Sequence, residues 1–414
     1  MNSWLYFIII IIVVHYTLEL AVSLLNLRNL SAELPHEFND VLDQKKYTYS
    51  QEYARENTRF AIFQSTIATS FTLIFLLAGG FNVIDLYARS FGYGAIITGL
   101  IFSAILLLLS LLLSLIFSIY STFVIEERFG FNRTRPVTFV LDTLKGIVLG
   151  ACIGGPLLAL ILWFFLSAGN LAWVYCWLGV FVVTIILQFL APVLILPLFN
   201  TFTPLEDGEL KESIVSYTNR EQFKIRGVFV MDGSRRSTKL NAFFTGFGRF
   251  KKIVFFDTLT KALTSQQILG VLAHEMGHYK HNHLIKMLIA SFFQTGCMFF
   301  LLSLIMNNSQ LFDAFAMENI SIYASLVFFG FLYSPVSLLV SILINYFSRK
   351  HEYQADNYAA VSTGNAQSLI DGLKILSSTN LSNLTPHPLH VFLHYSHPPV
   401  LERIRALQTM KSVG

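Results

Sequence analysis

The chain has 414 residues, 54% of them hydrophobic and only 13% charged. Soluble proteins carry about 25% charged residues, so a chain this apolar, with its apolar residues gathered into long runs, is an integral membrane protein. The net charge of +4 is small, and the basic residues form neither a basic helix nor a recognition motif; no nucleic-acid partner is expected.

A membrane-crossing helix needs about 20 mostly apolar residues. In chain order, seven runs qualify: 4–27, 60–84, 95–124, 146–167, 171–199, 284–306 and 321–347. The first opens "MNSWLYFIIIIIVV", with no positive charge ahead of the apolar run, so a retained spanning helix is expected rather than a cleaved signal peptide. It carries His15 and Glu19 at i,i+4. Ionisable groups facing lipid are costly, so a water-filled or paired position is expected for both. The fourth and fifth runs are joined only by "SAGN" and should form a tight antiparallel pair. Cys152, Cys176 and Cys297 lie in apolar runs without CxxC spacing and are expected to pack, not to bind metal or pair.

Lys and Arg mark the cytoplasmic side. With seven spans and the N-terminus outside, all 29 Lys and Arg except Arg89 fall on that side. The chain then divides into a five-helix membrane region (1–199), a polar cytoplasmic region (200–283), spans six and seven (284–347) and a cytoplasmic tail (348–414). The two polar regions share one face of the membrane and can build one site.

Within 200–283, "LEDGELKESIVSYTNREQ" reads as a helix, and "KIRGVFVMDG", "KLNAFFTGFG" and "KKIVFFDTLT" read as three short strands. The next helix starts with Thr264 and Gln267 at capping-box spacing. It runs into "HEMGH", where His274 and His278 lie one turn apart on one face and can reach one zinc ion. Glu275 beside them can deprotonate a water whose pKa zinc lowers to about 7. A third protein ligand is needed. A metzincin would have Gly at 281 and His at 284; this chain has His281 and Leu284. His281 shares the helical face but sits two turns from His274, so His281 and His283 are expected at the membrane surface or polarising the site. The segment "SRKHEYQADNYAA" after the seventh span offers Glu352 and Asp356 at i,i+4. One carboxylate can bind the ion while the other fixes a ligand His by accepting its outer N–H. An exposed charged face would give the same spacing; the HExxH motif favours Glu352 as ligand.

The stretches "FVIEERFGFNRT", "PLFNTFTPLEDGELKE", "NAFFTGFGRFKKIVFFDTL", "VLAHEMGHYKHNH", "SRKHEYQAD" and "YSHPPVLERIRAL" resemble the type I CAAX prenyl proteases, membrane zinc metalloendopeptidases of the gluzincin kind. The resemblance implies a mainly α, polytopic fold with seven transmembrane helices enclosing a chamber. It also implies a small α+β zinc metalloprotease domain at the cytoplasmic end. His274, His278 and Glu352 would hold one Zn2+ and Glu275 would be the general base. Asp356 would back the ligands, with Arg403 as its partner. His397 of "SHPP" would face the scissile carbonyl, where an imidazole can donate to a developing oxyanion. Asn241 and Ala242 would lie beside substrate, on a strand able to pair with an extended peptide.

The implied substrate is a peptide or protein, prenylated or membrane-borne, from which the last three residues are removed. The chain ends "MKSVG" without a retention signal. That leaves open a bacterial inner-membrane enzyme using the same chemistry for membrane-protein quality control or peptide processing, against an endoplasmic reticulum enzyme in a eukaryote. A non-enzymatic seven-span scaffold is the rival from another class; the intact set of ligands and base argues against it.

Overall fold

The computed structural model describes residues 2–245 and 252–411. Among these, seven helices are long and apolar enough to cross a membrane. Five of them precede the polar region, α1 (Ser3–Arg28), α2 (Gln44–Leu77), α4 (Ala95–Tyr120), α5 (Pro136–Ser167) and α6 (Ala172–Leu190), with the shorter α3 (Gly80–Arg89) between α2 and α4. α4 runs on through a π-helical turn, Ser121–Ile125, and α6 through another, Ala191–Ile195. α5 and α6 pack against each other across a short turn at Gly169, whose φ is +55°.

The expected span 60–84 needs correction. The helix stops at Leu77, and Gly79 turns left-handed at φ +69° before α3 begins. Glycine takes that conformation without a Cβ penalty. The apolar signal ran through the break because Phe81 and Ile84 of α3 are apolar and buried. Other spans start or end well outside their apolar windows. α2 begins at Gln44 and α5 at Pro136, a proline suited to the first helical position because its missing N–H would be unpaired there anyway. Hydropathy reports where a helix meets lipid, not where its hydrogen bonds stop.

The polar region folds as β1 (Phe202–Pro204), α7 (Glu209–Arg220), β2 (Gly227–Met231), β3 (Ala242–Thr245) and β4 (Lys252–Phe256). The sheet order is β1-β2-β4-β3, parallel between β2 and β4 and antiparallel elsewhere. The fourth strand, β1, was not expected: three residues are too few to show alternation. The end of the expected strand "KLNAFFTGFG" past Thr245, and Lys251 at the start of the next, lie outside the described residues.

α8 (Ser265–Lys280) carries the HExxH motif, and both bonds of the Thr264–Gln267 capping box are present. Asn282, at φ +54°, separates it from the sixth span, α9 (His283–Ile305). The seventh span, α10 (Ile322–Thr363), is 42 residues long, more than twice what a bilayer needs; its C-terminal part carries Glu352 and Asp356. Then follow α11 (Ala366–Thr379), α12 (Pro388–His394) and α13 (Val400–Lys411).

One core joins these parts: Phe38, Tyr47, Ile214, Phe255, Leu272 and Ile404 are all buried in it. Burying each such side chain stabilises by about 1.5–3 kcal/mol. The segment before α2, the sheet, α8 and α13 therefore form one platform beside the spans. The molecule is thus mainly α and polytopic, with seven membrane-competent helices and a small α+β unit at one end. Asn57, Gln64, Ser114, Ser118 and Thr143 line a cavity between α2, α4 and α5 together with Phe60, Leu111, Leu115 and Phe117, so polar groups are interspersed in an apolar wall. All three cysteines are free, Cys176 buried and the others exposed. Glu19 pairs with His394 of α12 at 3.2 Å, while His15 is exposed.

Candidate metal centre

α8 is amphipathic in an unusual sense: Ile268, Leu272, Ala273 and Met276 are buried, and so is His274. It lies against α10, and Gly277 sets how close. A Cβ on Gly277 would come within 2.8 Å of Ala355 Cα, so only the absence of a side chain lets the two backbones approach. Ala355 sits between Glu352 and Asp356. The contact therefore brings the HExxH helix up to the carboxylates of α10.

Three donors converge there. His274 Nε2 lies 3.2 Å from His278 Nε2. Glu352 Oε2 is 3.4 Å from His274 Nε2, and Oε1 is 3.2 Å from His278 Nε2. Among the described residues this is the one His/Cys/Asp/Glu group of three or more that could hold a metal ion. Two observations fit an ion. Ligands about 2.0–2.1 Å from a tetrahedral centre stand about 3.3 Å apart, the spacing found. Glu352 is 2% exposed, yet its Oε2 accepts no hydrogen bond and has Arg403 Nη1 only as near as 3.4 Å, and a buried carboxylate oxygen left so poorly satisfied is costly.

The surroundings fix these groups. His274 Nδ1 lies 2.8 Å from Asp356 Oδ1. Arg403 grips Asp356 with both arms of its fork, Nη2 to Oδ1 at 2.6 Å and Nε to Oδ2 at 2.9 Å, and Nη1 is 3.4 Å from Glu352 Oε2. Burial disfavours the Arg403 charge, but Asp356, Glu352 and Glu275 together hold its pKa above the usual arginine value. Glu275 is half-buried beside His274. His397, on the turn before α13, brings Nε2 to 3.3 Å from Glu352 Oε1 while Nδ1 meets Ser396 Oγ at 2.9 Å.

β3 is one of the two outer strands of the sheet and packs beside α8. The Asn241 carbonyl accepts the Phe256 N–H at 3.0 Å, so by antiparallel alternation the Ala242 N–H and C=O point to the open side. The Asn241 side chain covers that N–H at 2.8 Å. The sequence reading did not assign His283 a contact. It is buried, with Nδ1 at 3.0 Å from His278 Nδ1; its five-residue spacing from His278 was the available signal. His281 is exposed and stacks on His283 with ring centroids 5.5 Å apart.

Comparison with known proteins agrees with this picture. A model of the CAAX prenyl protease N-terminal region, five membrane helices, matches residues 23–201, and the peptidase family M48 model matches residues 204–411. CAAX prenyl protease 1 of Saccharomyces cerevisiae is 36% identical over 402 residues, covering 91% of this chain and 88% of the relative. The CAAX prenyl protease 1 homolog of Homo sapiens is 31% identical over 427 residues, with 92% and 90% covered. The crystal structure of S. mikatae Ste24p superposes with a TM-score of 0.94 at 34% identity, over 98% of this chain and 99% of that one. These matches do not favour the quality-control alternative. With both halves of its length matched in succession, the chain belongs to peptidase family M48 and is a multi-pass membrane metalloendopeptidase.

Proposed function

We propose that this chain is a zinc-dependent CAAX prenyl protease that releases the C-terminal tripeptide of prenylated proteins. The observation that carries the reading is the convergence of His274 Nε2, His278 Nε2 and Glu352 at 3.2–3.4 Å. Two imidazoles and one carboxylate suit zinc better than the oxygen-seeking ions. His274, His278 and Glu352 would hold it. When bound, zinc supplies a Lewis acid for the scissile carbonyl and a water of pKa near 7.

The chain's own residues do the rest. Glu275 takes the water's proton and passes it to the leaving amine. His397 donates from its ring toward the oxyanion as it develops. Asp356 accepts the His274 Nδ1–H, which keeps the Nε2 lone pair on the metal side, and Arg403 holds Asp356 in place. The Asn241–Ala242 edge of β3 pairs with the extended substrate backbone; the Asn241 side chain must first leave the Ala242 N–H.

We assign the polar regions 200–283 and 348–414 to the cytoplasmic face, because Lys and Arg gather there. Regions 1–199 and 284–347 then form the membrane body around the chamber. The test is cleavage of matched farnesylated and unmodified CAAX peptides by detergent-purified protein, following tripeptide release. Preference for the farnesylated peptide is expected. Equal cleavage of both would overturn the substrate and leave the peptidase.

Zinc affinity should depend on pH with a defined sign. In the metal-free site burial and the Arg403 charge push the His274 pKa down, but hydrogen bonds to Asp356 and Glu352 carry it up to about 9. Its proton competes with the ion. Affinity is therefore expected to tighten about tenfold per pH unit as pH rises toward about 9, and to level off above. Chelator competition across that range measures it. A flat profile between about pH 7 and 9 would show that no such proton is displaced.

A further inference from the structure

We propose that His283 and Gln354 form a neutral relay that fixes the tautomer of His278 and so presents its Nε2 lone pair to the metal; this rests on the reading of His278 as a ligand. The geometry assigns each proton in turn. His278 Nε2 faces His274 and Glu352, so as a ligand it carries no proton there. Its proton then sits on Nδ1. That atom is 3.0 Å from His283 Nδ1, and two ring nitrogens at that distance share one proton. His283 Nδ1 is therefore the acceptor, and its own proton is on Nε2. Nε2 lies 2.9 Å from Gln354 Oε1, an acceptor. One choice at the metal side sets every proton out to the amide.

The fold builds this arrangement on purpose-made backbone. Had α8 continued as a helix, residue 283 would point away from 278. Asn282 at φ +54° ends it and starts α9 at His283; asparagine is one of the few residues that tolerates that region. The His283 ring then lies flat on His351, centroids 4.0 Å apart and planes 12° apart. His351 and Gln354 both belong to α10, the helix that supplies Glu352. Two helices thus position one ligand from both ends.

The two histidine ligands are backed differently. His274 has an anion, Asp356, itself tied to Arg403. His278 has an uncharged imidazole. Metal-binding histidines usually donate their outer N–H to a carboxylate, a carbonyl or water, and removing that partner costs about 10–100-fold in metal affinity. A second anion here would add negative charge to a site where Glu352 and Asp356 already flank His274.

The test is zinc affinity of the full chain in detergent, by chelator competition. His283→Phe keeps a flat ring against His351 but removes the acceptor; affinity is expected to fall about 10–100-fold. His283→Asn loses the ring but sets an amide oxygen near the place of Nδ1, and is expected to stay within about threefold of wild type. A packing role predicts the reverse order, with the phenylalanine tolerated and the asparagine impaired. Wild-type affinity in His283→Phe, or equal loss in both variants, would overturn the relay. Gln354→Leu repeats the test one bond further out: weaker binding is expected, restored by Gln354→Glu, and unchanged affinity in the leucine variant also overturns it. His278→Ala separates the two readings. If it binds zinc like wild type, the ligand assignment has failed. If it loses zinc while His283→Phe does not, only the relay has.

Discussion

Glu275→Gln is expected to lower kcat by about 10²–10⁴, the span of a lost general base, while zinc content and KM stay near wild type. The substitution is almost isosteric and leaves His274, His278 and Glu352 untouched, so the three donor distances have no cause to change. What it removes is a half-buried proton acceptor beside His274 and one negative charge within range of Arg403. The second loss is small, because Asp356 and Glu352 both remain close to that guanidinium. Rate and metal content must therefore separate. Measuring both on the same preparation checks it: zinc lost together with activity would make Glu275 a structural part of the site, and turnover within tenfold of wild type would place the base elsewhere. His397→Ala should behave alike in keeping its zinc, because His397 reaches Glu352 from the open side of the cleft, with 64% of its side chain exposed.

What the sequence showed and what it hid follow from the range of the interactions. His274, Glu275 and His278 are legible because one helical turn fixes their relative positions before any packing. Glu352 and Asp356 are legible for the same reason, once the HExxH motif asks for a third donor. The number of spans is legible because each is settled by its own hydropathy against lipid. The extra strand β1, the break at Gly79 and the pairing of Glu19 with His394 depend on partners distant in sequence or on a single backbone angle. His283 shows the boundary well. Its motif position is plain, but its contact with His278 exists only because Asn282 turns left-handed and α10 supplies Gln354 and His351. Gly277 is similar: it passes for an ordinary residue of "HEMGH" until Ala355 of α10 is found in the space its Cβ would take.

Arg403→Leu is expected to cost about 3–5 kcal/mol of stability, the price of leaving a buried charge without its partner. Arg403 is 8% exposed, Asp356 1% and Glu352 2%, so water cannot replace the guanidinium. Leucine fills part of the volume but leaves two carboxylates facing each other across His274. Bound zinc would then be the main positive charge near them. The variant should therefore lean on metal for its stability more than wild type does, since a ligand that binds only the folded state stabilises by RT ln(1 + L/Kd) at free ligand concentration L. Unfolding temperature in detergent, with and without a chelator, tests this. Chelation should lower it further in Arg403→Leu than in wild type. Arg403→Lys should fall between them, because a single ammonium keeps the charge but cannot reproduce the two-armed grip on Asp356. If chelation shifts all three proteins equally, Arg403 does not share the neutralisation of Glu352 and Asp356 with the metal, and its bonds to Asp356 serve only to hold α13 against α10.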